Sequence, residues 1–229
     1  MSGTGSTSLA DPTVAELLAR LHRNADEQRD QVRAQVGAPG DQEMGPAFHW
    51  ERLKDFYLPV SREQGVFLYQ TVRAIRARRV VEFGSSFGIS SIYLAAALRD
   101  QAEDGRAEFG MVIGSELIRE KAEGARANLA TAGLSEYVEI RIGDARTTLV
   151  DPGGTIDLVL LDGGPAAYLD VLHLLQPHLR PGAVVIADNI DSGSDELHPY
   201  AAWIRDPANG FVSSSITLKG GTEYSVWIG

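Results

Sequence analysis

The stretch VVEFGSSFGISSIYLAAALRD, Val80 to Asp100, changes period at its middle. Its first residues are β-branched and apolar without alternation, as in a strand buried on both faces. Ile89, Ile92, Tyr93 and the alanines that follow repeat at helical spacing. Between them stand an acidic residue, Glu82, and two glycines, Gly84 and Gly88. A strand passing through a glycine turn directly into a helix is the unit from which parallel sheets are built.

The same alternation continues along the chain. Strands are predicted at 79–83, 109–114, 137–142, 156–161 and 183–187, and helices at 89–99, 117–132, 165–179 and 197–205. Runs such as IDLVLLD and AVVIAD are apolar throughout, so both faces of the sheet are expected to be covered. The rhythm breaks at the end, where FVSSSITL and TEYSVWIG are joined by KGG, a turn short enough for a hairpin. The expected fold is α/β, a doubly wound, mostly parallel seven-stranded sheet whose last strand runs antiparallel.

Upstream, residues 1–10 are small and polar and are expected to form a disordered tail. Residues 11–60 are expected to make an N-terminal helix and a lid. Asp11 caps the helix, Pro12 suits its first turn and Gly37 stops it, but its second half is so polar that packing there must be partial or intermolecular. The segment 38–59 collects Met44, Phe48, His49, Trp50, Phe56 and Tyr57, the composition of a lid or an interface. Ser61 and Gln64 are spaced as a capping box, opening the 61–229 domain.

Composition excludes several classes of function. The 229 residues suffice for one α/β domain. A formal charge of −10 without a basic run argues against a nucleic-acid or membrane partner. No cysteine is present, which removes disulfides, thiolate metal sites and cysteine nucleophiles. The N-terminus has neither the basic region nor the apolar stretch of a signal peptide, so a cytoplasmic location is expected. The polar helix and aromatic lid suggest a homodimer.

Open parallel sheets bind ligands at the carboxyl ends of their strands. Glu82 stands at the first such end, Glu116 at the second and Asp144 at the third. A carboxylate beside the glycine turn disfavours a pyrophosphate and favours a cationic or neutral ligand. Glu116 suits ribose hydroxyls and Asp144 an exocyclic amine, although each acid could instead cap a turn. Together they suit a molecule with an amino-acid end, a ribose and an adenine: S-adenosylmethionine (SAM).

With VVEFGSSFGISS, GSELIREKAEGARANLATAGL, IGDA, IDLVLLDG, LLQPHLRPGAVVIADN and the closing hairpin, the chain resembles the class I SAM-dependent methyltransferases, specifically the catechol and caffeoyl-coenzyme A O-methyltransferase group. The resemblance implies the Rossmann-like methyltransferase fold and a small phenolic or catechol-like acceptor. It places Val60, Glu82, Gly84, Ser86, Gly88, Ser90, Glu116, Asp144, Ala145 and Asp162 along the cofactor. It further implies that Asp162, Asp188 and Asn189 hold a divalent metal such as Mg²⁺, a suitable oxygen set for a hard ion; the alternative is that these strand-end residues cap loops. One position departs from the group: Pro165 stands where a lysine base is usual. Of three lysines, Lys121 and Lys219 lie far along the chain and Lys54 approaches only if the lid folds over. The base candidates are then His49, Tyr168, His173 and His198, of which His49 and His198 lie in segments expected to overhang the strand tips. Three alternatives stand beside this reading: a metal-independent transferase with a histidine base, a SAM-binding protein without transfer, and a nicotinamide-dependent oxidoreductase. The last is opposed by Glu82, the terminal hairpin and Ser86 in place of a middle glycine.

Overall fold

Several helix starts in this chain are set by side-chain acceptors or a turn glycine. In the computed structural model, which describes residues 7–36, 52–105, 109–191 and 194–229, Asp11 accepts from the backbone N–H groups of Thr13 and Val14 at 2.9 and 3.3 Å. Helix α1, Pro12–Val36, follows. Ser61 and Gln64 make the expected capping box and open α2, Arg62–Ile75. Gly88, with φ of +81°, is the left-handed N-cap of α3, Ile89–Glu103. Among the described residues, four further helices follow: α4 Arg119–Thr131, the short α5 Ala145–Thr148, α6 Tyr168–Leu175 and α7 His198–Ile204.

The strands are β1 Arg79–Phe83, β2 Met111–Glu116, β3 Val138–Ile142, β4 Ile156–Leu161, β5 Leu179–Asp188, β6 Phe211–Ile216 and β7 Thr222–Trp227. They form one sheet in the order β3-β2-β1-β4-β5-β7-β6, with β7 antiparallel to both of its neighbours. Apolar alternation within the strands supplies two cores. Val80, Val112, Leu158, Leu160, Val184 and Ile186 face α1 to α4. Val81, Ile113, Val159, Leu161, Val185 and Ala187 face α5 to α7. Chain order reverses between β1 and β4, which opens a crevice at their carboxyl ends.

Several boundaries differ from the expectation. Strand β2 runs to Glu116 because that residue pairs with Ile142, while Phe109 stays outside the ladder, half exposed and stacked on Tyr137. Strand β5 begins at Leu179, since Leu179 pairs with Ile156 before a register shift accommodates Pro181 and Gly182. The helix expected at 165–179 is interrupted by tight turns at Pro165–Ala167 and Gln176–His178, where the prolines cannot donate to a helical ladder.

The expected tail is corrected over its last residues. Ser8–Ala10 form a helical turn, and the Ser8 N–H lies 3.0 Å from each oxygen of the buried Asp100, which also accepts from Tyr69 Oη and Ser8 Oγ. A long-range acceptor thus offsets the entropy of ordering that the local composition suggested would win. The polar half of α1 also has an intramolecular partner. Gln28 donates to the carbonyl of Asp55 at 3.2 Å and accepts from the N–H of Tyr57 at 2.9 Å, fixing the approach to the strand tips.

On α1, His22 is buried, with Nε2 3.3 Å from Tyr93 Oη. Burial, with the positive charge of Arg62, pushes its ring pKa down to about 4. The unfolded chain takes up the proton near the ordinary value of about 6.5, before the folded chain does. Stability contributed by the neutral ring is therefore complete above pH 6.5 and lost as pH falls towards 4, at up to about 1.4 kcal/mol per pH unit. Urea unfolding at a series of pH values between 7 and 4 is expected to show this loss in the wild type and a flatter profile in His22→Gln. Identical profiles would remove His22 as the origin.

Candidate cofactor and acceptor site

Four acidic side chains gather at the switch point: Glu82, Glu116, Asp162 and Asp188, at or directly after the ends of β1, β2, β4 and β5. Glu82 is fully buried. Its Oε2 accepts from Ser85 Oγ at 2.7 Å and from Ser91 Oγ, while Oε1 is buried without a hydrogen-bond partner. Burial raises its pKa against the opposing hydroxyls of Ser90, Ser91 and Ser85, and the charge of Glu116 adds to the rise. Ser86 Oγ is likewise buried and unpartnered. Unpaired polar atoms of this kind are rare in native interiors and fit a site that takes a polar ligand. Glu82 Oε1 can accept from the ammonium of the SAM amino-acid end.

Glu116 is held from two sides. Its Oε2 accepts from the Ser86 N–H at 2.8 Å and its Oε1 from the Ile118 N–H at 2.9 Å. Each carboxylate oxygen keeps a second acceptor site, enough for a ribose diol.

The glycine turn is shaped by close approach. A Cβ on Gly84, at φ of +94°, would lie 2.5 Å from the carbonyl oxygen of Asp162. At Gly88, with φ of +81°, a Cβ would meet Ala125 of α4 at 3.1 Å, so the glycine also lets α3 start close against α4. Gly114, which sequence reasoning passed over, leaves room for the Ser85–Glu82 pair, since a Cβ would lie 2.4 Å from Ser85 Oγ. An open recess of about 220 Å³ lies over the turn, lined by Tyr57, Leu58, Pro59, Gly84, Ser86 and Ser90 among others. Tyr57 stacks on Phe87 at 4.4 Å, and the buried Lys121 sets its ammonium 5.7 Å from the same ring's centroid.

The acceptor end is organised by Gln64, a residue legible in the sequence only as a helix cap. Its Oε1 accepts from the Ser61 N–H at 2.7 Å, while its amide nitrogen donates to Asp188 Oδ1, to the carbonyl of Lys219 at 3.1 Å and to Thr222 Oγ1 at 3.2 Å. Asn189, at φ of +60°, donates from Nδ2 to Asp188 Oδ2 at 3.1 Å. Burial raises the pKa of Asp162, and the neighbouring Asp188 and Glu82 raise it further. Burial also raises Asp188, against the donors of Asn189 and Gln64 and the charge of Lys219. A second recess, about 210 Å³, has apolar walls of Val60, Phe67, Leu68, Leu160 and Ile186 and a polar end of Asp188, Gln64 and Thr222.

The remaining expected residues are held as follows. Asp144 is partly exposed and caps α5 through the Arg146 N–H, and both its oxygens are engaged by the Arg146 guanidinium. For this residue, capping is the role the structure shows. The side chain of Ala145 is buried in the core beneath α5 and α6. His198 is 74 % exposed and pairs with Asp195 at 3.6 Å. Tyr168 is fully buried and donates to the Asp188 carbonyl at 3.3 Å, its phenol held protonated by burial and by Asp162 and Asp188. His173 packs edge-on against Trp203. His49 lies outside the described residues. Among the described residues, no group of three or more His, Cys, Asp or Glu side chains is arranged to hold a metal; the acidic pair with Asn189 is a smaller set.

Known proteins agree with this geometry. Residues 81–190 match a methyltransferase domain. In its domain match and in its fold, the chain is similar to the SAM-dependent methyltransferases. Within that class, its similarity is to the catechol and caffeoyl-CoA group. It is 36 % identical over 141 residues to the catechol O-methyltransferase of Mycobacterium tuberculosis, covering 61 % of this chain and 60 % of the relative. It is 31 % identical over 137 residues to that of Niastella koreensis, covering 58 % of each. The chain thus spans about 60 % of the length of these relatives. Among solved structures, the O-methyltransferase TomG of Streptomyces achromogenes, in complex with SAM, matches at a TM-score of 0.67 and 27 % identity, covering 91 % of this chain and 99 % of that one. The nicotinamide alternative receives no support from these matches.

Two carboxylate variants test the site. Glu116→Ala is expected to weaken S-adenosylhomocysteine (SAH) binding roughly 10- to 100-fold, because a charged acceptor is worth about 1.5–3 kcal/mol. Unchanged affinity by calorimetry in a folded variant would exclude Glu116 from the ribose site. Glu82 has a folded pKa raised above its unfolded value, so its stabilising contribution belongs to the protonated form and is lost as pH rises through the folded value. Ligand-free Glu82→Gln is therefore expected to melt above the wild type at pH 7, the difference shrinking as pH falls towards 4.5, while SAH binding weakens at least about tenfold. A variant that melts no higher and binds SAH normally would contradict both roles.

Proposed function

We propose that the protein transfers a methyl group from SAM to a hydroxyl oxygen of a small aromatic acceptor, assisted by a divalent cation at Asp162, Asp188 and Asn189. One observation carries the reading: Glu82 and Glu116 occupy one side of the switch point, and Asp162 and Asp188 the other, so a cofactor site and an acceptor site meet across Gly84. Bound SAM supplies a methyl carbon made electrophilic by a sulfonium. Glu82 holds the ammonium, Glu116 the ribose, and the 57–60 segment covers the junction and excludes water.

The donor set suits a hard cation. Two carboxylates whose proton affinities are raised by burial, that of Asp162 further by the charge of Asp188, favour a divalent ion of the Mg²⁺ type. Asn189 turns its amide nitrogen towards Asp188, and a rotation of that amide presents the oxygen instead. Such an ion, when held, lowers the pKa of the acceptor hydroxyl.

Calorimetry with SAH, followed by transfer assays against a panel of mono- and dihydroxylated aromatics, tests the reading. Micromolar SAH binding and transfer to at least one acceptor are expected. Binding without transfer across the panel would favour a SAM-binding protein that does not methylate these acceptors. Chelator is expected to suppress transfer, Mg²⁺ to restore it, and Asp188→Asn to remove the response while leaving SAH affinity within about twofold. Full transfer in chelator would favour the metal-independent alternative, to which Pro165 in place of the group's lysine already lends weight.

A further inference from the structure

The turn between β6 and β7 returns the chain to the tip of β5. Asp191 N–H donates to the Gly220 carbonyl at 2.9 Å and Ile190 N–H to the Gly221 carbonyl at 3.1 Å. Both glycines have positive φ, and a Cβ would lie 2.9 Å from Asn189 Oδ1 at Gly220 and 2.3 Å from Asp191 Oδ2 at Gly221. Gln64 donates to the carbonyl of Lys219 from the other side. The backbone of Lys219 is thus fixed beside the acidic pair, although 57 residues separate it in sequence from Asp162.

Its side chain is exposed and spans to the covering segment, where Nζ donates to the carbonyl of Pro59 at 3.3 Å. Two further N–H donors of the ammonium remain for other acceptors. Three titratable groups feel its charge: Asp162, Asp188 and, on α1, His22. Lys121, by contrast, is buried against Phe87 on the ribose side.

We propose that Lys219 is a cationic group of the acceptor site, held beside Asp162 and Asp188 by Gln64 and by its contact with Pro59, and that it stabilises the ionised acceptor hydroxyl. The inference rests on the acceptor reading above. In the ionisation itself, the hydroxyl proton passes to solvent buffer and not to Lys219. Beside two carboxylates an oxyanion is repelled unless positive charge stands near it, so the Lys219 ammonium, alone or together with a cation on the acidic pair, favours the ionised over the neutral acceptor.

The test uses the full chain saturated with SAH and the chromogenic probe 4-nitrocatechol, whose absorbance reports its phenolate directly. Wild type, Lys219→Arg, Lys219→Gln and Lys219→Met are titrated with probe over pH, once with Mg²⁺ and once with chelator. Arginine keeps the charge, glutamine keeps only an N–H donor for Pro59, and methionine keeps neither. In K219M and K219Q, the bound probe is expected to ionise at higher pH and its affinity at neutral pH to fall about tenfold, while K219R stays near wild type, SAH being kept saturating for each variant. Wild-type spectra and affinity in K219M would overturn the proposal. Rescue by K219Q as complete as that by K219R would also overturn it, leaving only a strap to Pro59. A wild type that binds SAH but no probe would overturn the acceptor reading and this inference with it, before any variant is measured.

Discussion

Negative charge packed against the ends of adjacent strands is the constraint around which this molecule is arranged. Glu82, Glu116, Asp162 and Asp188 lie close enough that Glu116 raises the proton affinity of Glu82, and Glu82 and Asp188 raise that of Asp162. Isolated ions in such a place would cost many kcal/mol, so the surroundings consist of donors. Serine hydroxyls serve Glu82, backbone amides serve Glu116, and the amides of Gln64 and Asn189 serve Asp188. Compensation is incomplete at Glu82 Oε1 and at the Asp162–Asp188 pair, the two places to which cationic ligands are assigned here.

The same demand explains why distant parts of the chain converge. Gln64 caps a helix with one end of its amide and holds Asp188, Lys219 and Thr222 with the other, so a capping residue fastens α2 to β5 and to the terminal hairpin. Placing β7 between β5 and β6 brings the hairpin turn back over the acidic pair. Tyr57 on Phe87 and Lys219 on Pro59 then fix the covering segment at both ends of the crevice. The covering segment, the Lys219 charge and the helix cap are thereby mechanically linked.

Most of the architecture was legible in the sequence because it depends on period and punctuation. Buried strands show as continuous apolar runs, the capping box shows at a fixed spacing, and KGG marks a hairpin; none of these needs a partner far along the chain. Glu82 and Glu116 were legible for the same reason, being the residues at which apolar runs end. Asp144 shows the limit of that logic, since its nearest donor is Arg146, two residues away, and local capping satisfies it.

What the sequence by itself determined is the order of elements, the antiparallel last strand and the acids at the strand tips, all properties of neighbours along the chain. Only the tertiary structure decided which groups answer those acids. Ser8 meets Asp100 across 92 residues, Gln64 meets Asp188 across 124 and Lys219 meets Pro59 across 160. Such pairings follow from strand order and helix packing, and they leave no periodic trace. A lysine far along the chain therefore read as remote from the strand tips, yet the fold sets it beside them, because an antiparallel hairpin returns the chain to the end of the sheet where the charge is buried.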